Sequence, residues 1–238
     1  MLELKGINTF RGPAHVLQDV SLDVKEGEVV ALVGRNGAGK STTMESIMGL
    51  LPVKSGHVTF HGEDITNVPA HVTAKHGIGY SPEDCGVFPE LSVAENLQIS
   101  QWLADPHRTE AFAGDSTVEE RVFSVFPEVR ELTGREGINL SGGQRKMVAI
   151  CRAMFLAPSM LLLDEAFEGL APVVVNRFRD AMIRIREMGI ALLMAESNLA
   201  HASLIADRLY AIDRGEIIFH GSPEDAVNNE DVMKTLRG

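Results

Sequence analysis

Two rhythms of apolar and polar positions divide the chain. In the first, short apolar runs are separated by turns and helical stretches. Leu2 to Asn8 and Leu17 to Val24 read as strands. In the second of these, Val20, Leu22 and Val24 alternate with Ser21 and Asp23, the period of two that buries one face. After a turn at Glu26-Gly27 comes Glu28 to Val33, apolar and rich in β-branched residues, then a helical unit ending near Leu51-Pro52. Lys54-Ser55-Gly56 reads as a turn, His57 to Phe60 as a short strand, Pro69 to His76 as a short helix and Ile78 to Ser81 as a strand.

From Phe88 to Ala157 the rhythm becomes helical. Ser92 is a plausible N-cap for Val93 to Trp102, with Glu95 at the capping-box position. Asp105 to Ser116 is polar, carries Pro106 and Gly114, and is expected to be a loop. Thr117 begins a helix with apolar positions Val118, Val122, Val125 and Phe126, and Ser141 caps a third that runs to Pro158. The strand–helix alternation then resumes. Met160 to Leu163 is a strand, Pro172 to Met188 a helix, Ile190 to Ala195 a strand and Leu199 to Asp207 a helix. Arg208 to Asp213 and Glu216 to Gly221 form a hairpin around Arg214-Gly215. Ser222 and Pro223 open one last helix. The expected fold class is α/β: a core of residues 1–87 and 158–238 with a mostly parallel sheet and an N-terminal antiparallel region, and an inserted α-helical subdomain at 88–157.

Composition changes this picture little. The 238 residues are 45% apolar and 23% charged, ordinary for a globular chain with a substantial core. The net charge of −11 argues against a nucleic-acid partner. Cys85 and Cys151 stand far apart with no metal-ligand spacing, which suits a reducing compartment. No signal peptide is evident, and no apolar run approaches the roughly 18 residues of a membrane span. The expectation is a soluble chain that reaches a membrane only through another protein.

Chemistry enters at Gly34-Arg35-Asn36-Gly37-Ala38-Gly39-Lys40-Ser41, which reads G-x-x-x-x-G-K-S. A strand before it and a helix after it are the context in which this spacing cradles phosphates. The candidate nucleotide contacts are Gly34, Asn36, Gly37, Ala38, Gly39, Lys40, Ser41 and Thr42. Their backbone N–H groups converge at a helix N-terminus, with Lys40 on the β- and γ-phosphates and the Ser41 hydroxyl on Mg²⁺. Met160 to Leu163 then ends in Asp164-Glu165, at the strand end where ligands of doubly wound sheets bind. Asp164 is the candidate metal contact and Glu165 the candidate base for the hydrolytic water. Ser141, Gly142, Gly143 and Gln144 place a hydroxyl and bare N–H groups at a second helix N-terminus, a second anion site. Arg145 and Lys146 beside it either raise the local potential or are simply solvated.

With Leu140-Ser141-Gly142-Gly143-Gln144 in place, the chain resembles the ATP-binding-cassette (ABC) ATPases over essentially its whole length. The resemblance implies ATP and Mg²⁺ as ligands, and a head-to-tail dimer, with itself or with a related ATPase subunit. In that dimer the Ser141 stretch of one subunit closes over ATP on the P-loop of the other. It places Phe10 where an aromatic residue stacks on adenine and Glu83 where the family has a metal-contacting Gln. It places Ser197 where the family has a His that contacts the γ-phosphate. A serine donates a hydrogen bond there without the charge or reach of imidazole, so hydrolysis is expected to lean more heavily on Glu165, or the partner's site to carry more of the turnover.

Gly79-Tyr80-Ser81-Pro82-Glu83, Gly169-Leu170-Ala171-Pro172 and Glu196-Ser197-Asn198 narrow the likeness. They are similar to the short ATPase subunit of branched-chain amino-acid importers, whose relatives take up urea or amides. That likeness implies membrane permeases docking near 83–97, an extracytoplasmic binding protein, and a place on the cytoplasmic face of a prokaryotic inner membrane. Two other readings are a non-transport ABC ATPase and a nucleotide-binding dimer partner that hydrolyses poorly. Neither a long coiled-coil insertion nor a second cassette favours the former; Ser197 keeps the latter open.

Overall fold

A computed structural model describes residues 1–237. Its first strands, β1 (Leu2–Arg11) and β2 (Ala14–Val24), pair antiparallel, and β3 (Val29–Val33) leads through the glycine-rich loop into α1 (Lys40–Ile47). Next come β4 (Val53–Phe60), the two-residue β5 (Glu63–Asp64), α2 (Ala70–Lys75) and β6 (Ile78–Ser81). The helical stretch holds α3 (Val93–Leu103), α4 (Pro106–Ala113), α5 (Val118–Val125), α6 (Pro127–Glu131) and α7 (Gly142–Met154). The chain closes with β7 (Met160–Asp164), α8 (Pro172–Glu187), β8 (Ala191–Glu196), α9 (Leu199–Ala202), β9 (Arg208–Asp213), β10 (Glu216–Gly221), α10 (Pro223–Asn228) and α11 (Glu230–Arg237).

Two sheets result. One is antiparallel in the order β2-β1-β4-β5; the other runs β10-β9-β3-β8-β7-β6 and is parallel except for β10. The central strands are buried on both faces, and their side chains divide by the period of two. Val29, Ala31 and Val33 pack with Leu161, Leu163, Leu192 and Met194 on one face. Val30, Leu32, Leu162 and Leu193 pack on the other, with α1 and the antiparallel sheet. The helical stretch has no core of its own. Val122, Phe126 and Met147 belong to the same apolar cluster as that first face. Phe126 meets Phe178 of α8 at a ring separation of 5.3 Å. Arg177 of α8 forks onto Glu128 of α6.

Four expectations are corrected. The expected loop at 105–116 contains α4. Asp105 caps it by accepting from the Arg108 amide at 3.0 Å, Pro106 sits at N1, and Gly114 is its C-cap. The residues taken for breakers are its ends. Lys54-Ser55-Gly56 is no turn but part of β4, which bulges against β1 where Gly56 adopts φ +90°. A Cβ at Gly56 would lie 2.3 Å from the Gly6 carbonyl oxygen. The helix expected over 199–207 stops at Ala202, and Asp207 instead accepts from the Val29 amide at 3.0 Å and pairs with Arg186. The last helix is two, broken where Asn229 accepts from the amides of Asp231 and Val232.

Candidate active site

The glycine-rich loop leaves the C-terminal end of β3, in the middle of the parallel sheet, and its shape has local causes. The Gly34 amide donates to the Glu196 carbonyl oxygen at 3.2 Å, tying the loop to the end of β8. A Cβ at Gly34 would stand 2.5 Å from the Ile212 carbonyl oxygen, so β9 excludes a side chain there. Gly37 adopts φ +82°, a region closed to most L residues. The N-cap of α1 is Gly39, with no side-chain cap, so the first amides of the helix are left for a ligand.

Lys40 is buried, and its ammonium bridges this loop to the opposing Glu165 carboxylate. Nζ donates to the carbonyl oxygens of Gly34 at 2.8 Å and Arg35 at 3.1 Å. It also stands 3.0 Å from Glu165 Oε1. That last contact is ionic and off-axis, since Oε1 makes no hydrogen bond. Asn36, Gly37, Gly39, Lys40, Ser41, Thr42, Glu83 and Glu165 all line one cleft of about 430 Å³. Ala38 lies buried beneath it. A cleft of about 570 Å³ between α8 and the start of β9 lies at the other ends of the parallel strands and holds none of these residues.

Asp164 and Glu165 reach the site because β7 lies beside β8, with Asp164 opposite Ala195. Both are buried, and Asp164 Oδ1 and Glu165 Oε1 have no hydrogen-bond partner. Burial pushes the Asp164 carboxyl up to about 6, helped by the Glu165 and Glu83 charges and opposed by the Ser41 hydroxyl and Lys40. Glu165 adopts φ +49°, uncommon for a side chain of this size. Its amide donates to the Ala195 carbonyl oxygen at 2.9 Å, and its own carbonyl oxygen accepts from Lys146 of α7. The buried carboxylate oxygens without partners fit a bound cation. Ser41, Glu83 and Asp164 line a second hollow of about 440 Å³. No cluster of three or more His, Cys, Asp or Glu ligands occurs among the described residues. Few protein ligands plus substrate phosphates is the pattern Mg²⁺ favours. Such an ion would neutralise charge on the phosphate oxygens.

Not all the expected residues converge. Ser141, Gly142, Gly143 and Gln144 line neither hollow. They close a capping box on themselves: the Ser141 amide donates to Gln144 Oε1 at 3.0 Å, and the Gln144 amide to Ser141 Oγ at 3.3 Å. Phe10 is also outside the cleft, stacked on His15 at 4.2 Å with Lys54 over its ring. Arg11 and Val16 line the cleft instead. Ser197 is turned to the Glu165 carboxylate. Its amide and its hydroxyl donate to Glu165 Oε2 at 3.1 and 3.2 Å.

Two residues emerge only in three dimensions. Lys146, which the sequence leaves as either a field source or a solvated charge, is a strut to the Glu165 backbone. Glu196, at 1% exposure, accepts from the Phe167 amide at 3.3 Å. Burial and the nearby Glu165 charge raise its carboxyl to about 8. Its one sequence signal is an acid closing a fully apolar strand, Ala191–Glu196.

Comparison with known proteins gives this geometry a setting. A family model described as ABC transporter matches residues 17–168. The high-affinity branched-chain amino acid transport ATP-binding protein BraG of Pseudomonas aeruginosa is 33% identical over 239 residues, covering all of both chains. The lipopolysaccharide export system ATP-binding protein LptB of Escherichia coli K12 is 34% identical over 225 residues, 94% of this chain and 91% of that one. Among solved structures, a nucleotide-free ATP-binding cassette from an ABC transporter superposes with a TM-score of 0.85. It has 28% identity and covers 100% of this chain and 99% of that one.

Proposed function

This chain belongs to the ABC transporter ATPases and is an ATP-hydrolysing enzyme; we propose that it powers an importer of branched-chain amino acids. The observation that carries the catalytic part is the Lys40 ammonium 3.0 Å from Glu165 Oε1 in the P-loop cleft, with Asp164 lining the adjoining hollow that shares Ser41 and Glu83 with it. In this reading Lys40 trades its ionic contact with Glu165 for the terminal phosphates of ATP. Ser41 and Asp164, with Glu83 beside them, hold Mg²⁺. Glu165 Oε1 then faces the attacking water and takes its proton, with no covalent intermediate required. The chain's contribution is positioning and electrostatics in a buried setting.

The Ser141–Gln144 helix start serves ATP on another subunit, so the working unit is a head-to-tail dimer with itself or a related ATPase. The segment 83–97 receives the permease. Asn96 is fully buried and holds that segment's turn, accepting from the Phe88 amide at 2.8 Å and donating to the carbonyl oxygens of Phe88, Leu91 and Ser92. Phe88 is left 45% exposed. No helix among the described residues is long and apolar enough to cross a membrane. Attachment to the cytoplasmic face of the membrane therefore falls to the permeases.

Import of branched-chain amino acids is supported by the end-to-end match to BraG and by the Glu196-Ser197-Asn198 triplet. The near-equal identity of LptB favours a second reading, export of a lipopolysaccharide. Deleting the gene and measuring uptake of labelled leucine, isoleucine and valine separates them. Lost uptake supports the first reading; intact uptake with a defect in outer-membrane lipopolysaccharide supports the second. Loss of urea or amide uptake alone would point to the related importers.

A further inference from the structure

We propose that Ser197 is a positioning residue for Glu165: it holds the catalytic carboxylate in place and does not itself contact the γ-phosphate. This rests on the reading of Glu165 as the base. Two donors of one residue, the amide and the hydroxyl, meet on one oxygen, Glu165 Oε2, at 3.1 and 3.2 Å. Hydrogen bonds to an ionised carboxylate are strong and directional. The other oxygen, Oε1, is buried, without a hydrogen bond, and 3.0 Å from the phosphate-binding Lys40. The carboxylate is thus hydrogen-bonded at one oxygen, while the other accepts no hydrogen bond and becomes available to water once Lys40 turns to phosphate, the arrangement a base needs to meet water in a fixed orientation.

The reason a serine suits this place is geometric. The neighbouring strands β7 and β8 end side by side, Asp164 opposite Ala195, so residue 197, one past the end of β8, lies within reach of the Glu165 side chain. A hydroxyl one bond from Cβ spans that gap. Ser197 lines neither the P-loop cleft nor the hollow at Asp164. The rest of Glu165 is fixed as well: its backbone at φ +49°, its amide on Ala195 and its carbonyl oxygen under Lys146. The Glu196 side chain supports the same turn through the Phe167 amide. Neighbours thus hold the Glu165 backbone at its amide and its carbonyl oxygen, and Ser197 holds the side chain.

The test is steady-state ATP hydrolysis by the full chain, together with the subunits that co-purify with it. The proteins are wild type, Ser197→Ala, Ser197→Thr, Glu165→Ala and the double variant Glu165→Ala/Ser197→Ala. Ser197→Ala keeps the amide donor and loses the hydroxyl, so kcat is expected to fall about tenfold with KM for ATP within about twofold of wild type. Ser197→Thr retains the hydroxyl and is expected to stay within about threefold of wild type. With Glu165 absent Ser197 has nothing to hold, so the double variant should match Glu165→Ala within about twofold. An equal loss on removing the hydroxyl in both backgrounds, a raised KM, or an unchanged kcat in Ser197→Ala would overturn the proposal and leave the base intact. Wild-type turnover in Glu165→Ala would overturn both the proposal and the base reading.

Discussion

The starts of α1 and α7 are the same device in two conditions. Both have glycine at the helix start, Gly39 as the N-cap of α1 and Gly142-Gly143 in the first turn of α7, and a helix N-terminus favours an anion. At α1 the chain completes the device itself. Gly39 caps without a side chain, Lys40 is buried at the helix start, and Asp164 and Glu165 close the far wall. At α7 the chain completes nothing beyond the helix. Ser141 and Gln144 satisfy each other, and Ser141 and Gly142 are exposed. The glycines sharpen the contrast. Gly34 and Gly37 are demanded by their own chain, through the Ile212 carbonyl and a positive φ. Gly142 is not: a Cβ there would meet nothing within 4 Å, and at Gly143 only ordinary contacts with Leu170 and Val174 at 3.6 Å. Two glycines at the start of a helix cost stability that nothing inside the chain repays. On the proposed reading their use lies outside it, where another surface comes close to bare backbone.

Substitutions can break or sharpen this comparison. Removing the P-loop ammonium has the largest expected effect. Lys40→Ala should weaken ATP binding by at least about 100-fold by calorimetry; unchanged affinity would remove the claim that the α1 site is complete in its own chain. Glu165→Gln should leave binding intact and lower single-turnover hydrolysis by about 10²–10⁴-fold. A rate equal to wild type would leave the wall opposite Lys40 without a catalytic part.

The crowding of buried carboxylates predicts a pH effect specific to the α1 side. The Glu196 pKa rises from 4.5 unfolded to about 8 folded, so the folded chain binds that proton more tightly. Its stabilising contribution is full below pH 4.5 and is lost as pH rises through 8. Relative to Glu196→Gln, wild type should lose on the order of 4 kcal/mol in unfolding free energy between pH 5 and 9. Parallel pH curves for the two proteins would contradict this account of Glu196. Smaller again is Gly37→Ala, whose φ of +82° an alanine adopts only with strain; denaturant melts should show a loss of about 1–2 kcal/mol.

Much of this was legible in the chain because the signals were local. The P-loop announces itself by spacing, and Met160–Asp164 by an apolar run ending in acids. Val118, Val122, Val125 and Phe126 show the buried side of a helix and are all buried. Where the reading failed, a residue had two local meanings. Pro106 and Gly114 break helices in their interiors and finish them at their ends, and here they finish α4. Gly56 allows a turn or a bulge, and the partner strand β1 decided for the bulge. Phe10 sits at an aromatic position but is held by His15 and Lys54, neither of which the local sequence implicates. Lys146 and Ser197 acquire their partner, Glu165, across 19 and 32 residues of chain, a separation no local pattern encodes.

The claim that the α7 start serves a neighbouring subunit predicts opposite signs for one substitution, Gly142→Ala. The free chain should become more stable by about 0.5 kcal/mol in a denaturant melt, because alanine favours the helix and meets no neighbour. ATP turnover of the same variant, assembled with its partner subunits, should fall at least about tenfold while ATP affinity of the isolated chain is unchanged. A variant that is more stable and turns over ATP like wild type would contradict the claim, because nothing outside the chain would then need bare backbone at Gly142.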